Sequence, residues 1–339
     1  SLSMAAGWPC SPQMKKVKVQ SSRFKVHGSK FKVYGSKFKV QRSGFTVQSS
    51  AFKVHGPELR VQSSRFKVQG FKRRAKMADA WLFRATHQVQ GRKRIIHQYN
   101  TGLEFLRYGR VIFSGTGGSV TIDTEDEEIA FVCLNGTGTI GLEGRSYDLK
   151  KYDALYVPRE SRVEVSSQGP FDLAECAAPA SRKYPVQFVR FDEVLKNPNL
   201  VRKAGFEPYA RTLHTLIGEN NVQAARLLAG VTFSKDGNWT SWPPHDHSKE
   251  KEEIYLYIDM PYPNFSIHLN YWDYKNMEMV VPVWEGDAVA IKRGYHYNVA
   301  SPGTVTGFLW MMAAIREEKD RVFTQVTVQP EFDGRFKLF

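Results

Sequence analysis

One octapeptide pattern of this chain occurs twice. Tyr152-Asp153-Ala154-Leu155-Tyr156-Val157-Pro158-Arg159 aligns without a gap on Gly286-Asp287-Ala288-Val289-Ala290-Ile291-Lys292-Arg293, 134 residues further on. Upstream, Glu127-Glu128-Ile129-Ala130-Phe131 aligns on Glu252-Glu253-Ile254-Tyr255-Leu256 at a separation of 125, and one loop insertion absorbs the difference. The matched stretches are short apolar runs punctuated by Gly, Asn and Pro, which is the texture of β-strands in a sandwich or barrel. Two copies of one such unit restrict the fold to an all-β architecture of two similar bodies. Helical signal is confined to the connecting region, such as Phe191 to Lys203.

The two copies differ in their histidines. His245 and His247 stand two apart in P-P-H-D-H, and His296 follows in R-G-Y-H-Y. Spacing two on a strand sends both imidazoles to one face. A carboxylate follows at Glu252 or Glu253, where E-E-I-Y-L-Y begins another apolar alternation. Three imidazole nitrogens and one carboxylate oxygen on neighbouring strands suit a divalent transition metal with positions left open for substrate. In the first copy the same separations place Val120, Ile122 and Arg162 where the three histidines stand, so one copy is expected to bind metal and the other to serve as scaffold. His87, His97, His214 and His268 have no partner at ligand spacing.

Charge divides the chain differently. Residues 1–76 hold 18 basic side chains and one acidic, against a formal charge of +14 for the whole chain, so residues 77–339 are slightly acidic. Within the basic segment Phe24, Phe31, Phe38, Phe45, Phe52, Leu59 and Phe66 each open a unit close to F-K-V-x-G-S-K. Gly and Ser in every heptad make poor helix, and the uniform repeat reads as a low-complexity extension, disordered or not native, with the body opening at Met77. A nucleic-acid partner is expected only through this arm, and the body's own charge points to no polyanion. Three cysteines, Cys10, Cys133 and Cys176, give no disulfide framework or zinc ribbon, and a reducing, cytoplasmic setting is the simpler expectation. The longest apolar run, Gly307 to Ile315, is far short of a membrane span.

At the histidine motifs a family resemblance enters. H-x-H followed by Glu, then G-D and a later G-x-H, is similar to the two motifs of the cupin superfamily, double-stranded β-helix barrels that hold metal through three His and one Glu. More closely, G-N-W-T-S-W-P-P-H-D-H (residues 237–247), E-E-I-Y (252–255) and G-D-A-V-A-I-K-R-G-Y-H (286–296) resemble the two-cupin isomerases of uronate and inositol catabolism. The resemblance covers essentially all of residues 77–330. The branch acting on 5-deoxy-glucuronate is the nearer one and that acting on 5-keto-4-deoxyuronate, in pectin breakdown, the more distant. Lys292 departs from the pattern, standing where cupins commonly have Pro.

The resemblance implies two tandem cupin barrels: residues 77–180 without metal ligands, a connecting segment 181–225, a metal-binding barrel 226–330, and a tail 331–339. It implies a metal held by His245, His247, Glu253 and His296. Glu253 is preferred to Glu252 because it directly precedes the β-branched and aromatic run. Zinc is favoured, with manganese, iron and nickel as alternatives of the same ligand chemistry. The implied reaction interconverts an aldose and a ketose of an open-chain sugar acid through an enediolate, giving 5-dehydro-2-deoxy-gluconate from 5-deoxy-glucuronate. Glu252, Tyr255 and Tyr295 are the candidates for the proton shuttle. Arg211 and Arg293 are candidates for the substrate carboxylate, and Asn238 and Trp239 for the mouth of the site. A small-molecule sugar acid is thus the expected partner, no membrane is, and a homo-oligomer is expected. A cupin dioxygenase and a non-catalytic sugar-binding cupin are the competing readings.

Overall fold

The computed structural model describes residues 81–336 and 338, together with the backbone of four short strands nearer the N-terminus. Those four form two hairpins, Ser22–Val26 with Ser29–Val33 and Lys39–Gln41 with Gly44–Thr46. In the first hairpin the opening residues of successive heptads, Phe24 and Phe31, stand opposite one another. The expected start at Met77, and the remainder of residues 1–76, lie outside the described residues.

From Trp81 onward the regular secondary structure is nearly all strand, and the two halves repeat one plan. In the first half, strands Ala154–Val157, Glu127–Gly136, Phe171–Pro179 and Arg107–Phe113 lie side by side in one sheet. Arg145–Leu149, Gly138–Leu142, Arg162–Ser167 and Gly118–Asp123 make the facing sheet. The second half repeats both orders. Ala288–Ile291, Lys251–Tyr257, Gly307–Ala314 and Leu227–Ser234 form one sheet, and Met279–Val283, Ser266–Tyr271, Tyr295–Ala300 and Trp239–Asp246 the other. These are two tandem cupin barrels, as expected. The apolar run at Gly307 is a strand buried on both faces, and among the described residues no helix is long and apolar enough to cross a membrane. The helical signal at Phe191 yields a short α-helix, Phe191–Lys196.

Period-two alternation explains the continuous apolar runs. In Glu127–Gly136, Ile129, Phe131 and Cys133 join the apolar interior of the first barrel, while Ala130, Val132 and Leu134 join a cluster that spans both halves. Likewise Tyr255 and Tyr257 face the interior of the second barrel, and Ile254 and Leu256 the shared cluster. The two large sheets therefore pack back to back, and their strands are apolar on both faces for the reason parallel-sheet strands usually are.

Two carboxylates fasten that contact reciprocally. Glu252 accepts hydrogen bonds from the backbone N–H groups of Glu104, Phe105 and Leu106 at 2.6, 2.9 and 2.9 Å. Glu128 accepts from those of Ala225, Arg226 and Leu227 at 2.8, 2.6 and 3.0 Å, and from the Tyr156 hydroxyl at 2.7 Å. Both side chains are buried. The halves are also laced by a crossover: Leu82–Phe83, early in the first half's sequence, pairs with Ala288–Ile291 in the second half's sheet.

Candidate metal centre

Strand pairing assembles the histidines. His245, on Trp239–Asp246, stands directly opposite His296, on Tyr295–Ala300, so both side chains enter the second barrel. His247 lies two residues on, and Glu253 enters from the facing sheet. All four are buried. The ligand atoms of the three histidines lie within 4.8 Å of one another. Glu253 Oε2 is 3.0 Å from Nε2 of both His247 and His296.

Backbone carbonyls fix the tautomers. The Nδ1 atoms of His245, His247 and His296 lie 3.0, 3.2 and 3.1 Å from the carbonyls of Pro243, Lys251 and Gly294. A carbonyl only accepts, so each Nδ1 carries the proton and donates it, leaving a bare lone pair on each Nε2. Those lone pairs converge on one another and on an ionised carboxylate. Burial, together with His296 and His247, holds His245 well below the usual imidazole range. Burial pushes Glu253 up, but hydrogen bonds and charge from His247 and His296 in their protonated forms outweigh it and keep the carboxyl at about 2, a role that falls to a cation when the imidazoles are neutral. Nε2 of His296 has no hydrogen-bond partner. Acceptors facing acceptors in a buried pocket repel unless a cation sits among them, and carbonyl-oriented imidazoles are how proteins present such ligands. The donor set of three nitrogens and one oxygen fits a divalent transition ion.

The first barrel shows the same positions filled with hydrocarbon. Val157 and Ile291, matched by the octapeptides, pair with Ile129 and Glu253 respectively, so Ile129 is the counterpart of Glu253 and Glu128 that of Glu252. The upstream separation is thus 124, not the 125 of the sequence alignment, and a one-residue slip turns every side chain to the other face. The counterpart of the His245–His296 pair is Ile122 opposite Val163. Ile122, Ile129 and Val163 belong to one fully buried apolar cluster. Arg162, set against His296 by the sequence alignment, is instead exposed and paired with Asp123.

Of the proton-shuttle candidates, only Tyr255 lines the cavity beside the histidines. Its hydroxyl is 2.9 Å from Ser241 Oγ, and burial pushes it well above the usual phenol range. Glu252 is corrected: alternation turns it out of the barrel, and three backbone N–H groups occupy its carboxylate. Tyr295, next to His296 on its strand, faces the other way and packs on Tyr271 at 6.0 Å. The two arginines separate as sharply. Arg211 is buried in the cavity wall, donating to the carbonyls of Tyr209 and Leu338, with no carboxylate beside it among the described residues. Burial lowers its guanidinium to about 10. Arg293 is exposed and paired with Glu278 at 3.0 Å, away from the site. Asn238 does not line the cavity either. Its amide accepts from Ala210 N at 2.9 Å and so fixes the residue before Arg211. Trp239 packs against Trp242 and Tyr297.

Three further cavity residues, Thr232, Thr240 and Ser241, escaped the sequence reading. Ser241 had a signal in the T-S-W-P-P run: the ladder breaks between Thr240 and His245, and Ser241 adopts φ 57°, which swings its hydroxyl to Tyr255. Thr232 had none, being one Thr in an apolar strand.

Comparison with known proteins adds an independent line. A model of the KduI/IolB family matches residues 82–329. The chain is similar to 5-deoxy-glucuronate isomerase of Bacillus subtilis (strain 168), 23% identical over 247 residues that cover 67% of this chain and 89% of the relative. To the enzyme of that name from Geobacillus kaustophilus (strain HTA426) it is 28% identical over 231 residues, covering 63% and 81%. Among solved structures it is similar to an IolB-like protein from Salmonella typhimurium LT2, with a TM-score of 0.64 at 20% identity, covering 74% of this chain and 97% of that one. At that identity the structural likeness speaks for the fold.

Proposed function

The chain belongs to the KduI/IolB family and is an isomerase, and from that premise we propose that it is a metal-dependent aldose–ketose isomerase converting 5-deoxy-glucuronate to 5-dehydro-2-deoxy-gluconate. One observation carries the reading: a cavity whose wall holds His245, His247 and Glu253, with His296 directly opposite His245, also holds a buried arginine with no acidic partner among the described residues. A divalent ion bound by His245, His247, Glu253 and His296, zinc first among the candidates, would polarise the substrate's carbonyl and adjacent hydroxyl, acidify the C–H between them and stabilise an enediolate.

The chain's own groups supply the rest. Arg211 is the seat for the substrate carboxylate, since a guanidinium bonded, among the described residues, only to carbonyls gains a charge partner when a carboxylate arrives. Tyr255 keeps its proton because burial disfavours the phenolate, so it serves as hydrogen-bond donor to a substrate oxygen, with Ser241 as the second member of a relay. Apolar neighbours such as Leu213, Phe308 and Met312 exclude water from the same wall. The test is an assay of the full chain with 5-deoxy-glucuronate and 5-keto-4-deoxyuronate side by side. Turnover of the first and not the second is expected, and the reverse would move the protein to the pectin branch.

A homo-oligomer is part of the same reading. Its support is a row of exposed large apolar side chains, Trp272, Tyr274, Met277, Val280 and Trp284, on and beside the edge strand Met279–Val283. Sedimentation of the purified chain checks it, and a monomer at micromolar concentration would remove it.

A further inference from the structure

Seven residues on the inward face of the second barrel carry buried polar atoms without a hydrogen-bond partner: Thr232, Thr240, His268, Asn270, His296, Asn298 and Trp310. The first barrel is the internal control. Its inward face carries the apolar cluster and the buried Glu175, whose carboxylate is taken up by Arg92 and Arg94, and among the described residues none of its inward strand positions has an unpartnered polar atom. One fold built twice therefore keeps its inward polar groups partnered in one copy and leaves a set of unused hydrogen-bonding groups in the other. Such groups are costly to bury and are rare in folded proteins unless a guest satisfies them.

Three of these residues line the cavity of the metal centre. Thr232, Thr240 and Trp310 lie in its wall together with Arg211, His245 and Glu253; they are 2%, 0% and 2% exposed, and their Oγ1, Oγ1 and Nε1 atoms have no partner. Each is held in place by the fold. Thr240 stands opposite Asn298, which stands opposite His268, so a polar row crosses three strands next to the His245–His296 pair. Trp310 stands opposite Gly230, where a Cβ would come within 2.3 Å of the indole. Only glycine leaves the ring room there, and Phe323 stacks on it at 4.8 Å. The Asn298 amide lies beside the Tyr257 hydroxyl without a hydrogen bond of normal geometry.

None of these groups is charged, and the hydroxyls both donate and accept. A set that can donate and accept but carries no countercharge suits neutral hydroxyls, with the substrate carboxylate left to Arg211. We propose that Thr232, Thr240 and Trp310 form a hydroxyl-reading subsite, which binds the hydroxyl-bearing carbons of an open-chain sugar acid between the metal centre and Arg211. The inference rests on the isomerase reading for its substrate class. It assigns selectivity for polyhydroxy chains to residues outside the histidine motifs.

The test uses the full chain with its metal and two unreactive probes, D-gluconate, an open-chain polyhydroxy acid, and hexanoate, which has the carboxylate and no hydroxyls. Calorimetry of wild type should show gluconate bound at least about tenfold more tightly than hexanoate. Thr232→Val and Thr240→Val are near-isosteric and suit strands. Each should weaken gluconate about tenfold, leave hexanoate unchanged, and leave metal content and melting temperature undiminished. Equal affinity of wild type for the two probes, or wild-type affinity for gluconate in both variants, would overturn the proposal and leave these atoms to ordered water. Failure of the underlying reading looks different: gluconate selectivity would persist and depend on both threonines while 5-deoxy-glucuronate went unconverted.

Discussion

Glu252 and Glu253 are neighbours on one strand, and their carboxylates do unrelated work on its two faces. Glu253 points into the second barrel, within 3.0 Å of two histidines. Glu252 points into the contact between barrels and holds the turn at residues 104–106. The first copy keeps the structural member of the pair, as Glu128, and has isoleucine for the other.

The division of labour predicts opposite phenotypes. Glu252→Ala orphans three backbone N–H groups and should lower unfolding free energy by about 3 kcal/mol, while folded protein keeps its metal. Glu253→Ala should fold normally and lose metal. Urea melts and metal analysis on both variants check this, and metal loss in Glu252→Ala at unchanged stability would reverse the assignment.

Acid should weaken the first barrel through Glu175. Burial alone would raise this carboxyl, but Arg92 and Arg94 outweigh it and hold it below the usual range. Arg92 grips it through Nε at 2.8 Å and Nη2 at 2.9 Å. A native pKa below the unfolded one, about 4.3, means that the unfolded chain takes up the proton first as pH falls. The stabilisation is therefore complete above the unfolded pKa and is lost as pH falls through the native one. Glu175→Gln should cost on the order of 3 kcal/mol at neutral pH and flatten the acid limb. Parallel stability curves for wild type and variant between about pH 7 and pH 3 would exclude this origin.

The two arginines offered for the substrate carboxylate should separate in kinetics. Arg211→Met should raise KM for a uronate by roughly 10- to 100-fold, the worth of a lost charge-assisted contact. Arg293→Ala, which removes only an exposed pair with Glu278, should leave both kcat and KM within about twofold. Equal effects of the two substitutions would place the carboxylate elsewhere.

What was legible in the sequence follows from these contacts. Two barrels could be read because the octapeptide repeat fixes strand pairing in both copies, and His245, His247 and His296 because H-x-H spacing survives folding unchanged. Tyr295 and Arg293 are close to His296 only along the chain. A strand inverts faces at each step, however, so the nearest neighbour of a ligand is the residue most surely turned away from it. The 125 separation failed for the same reason: Glu-Glu matches Glu-Glu in letters, while the ladder pairs Ile129 with the position of Glu253. The crossover of Leu82–Phe83 left no trace, since two residues carry no periodicity, and Thr232 and Trp310 became visible only as atoms without partners.

The central claim is that the buried His245, His247, Glu253 and His296 hold a metal on which isomerisation depends. The most direct measurement is metal content and conversion of 5-deoxy-glucuronate on one sample of the full chain, before and after chelation, beside His245→Ala. About one equivalent of a transition ion per chain is expected, with activity lost on chelation, restored by the ion, and absent from the variant. Full turnover by the chelated protein, or by His245→Ala, would contradict the account.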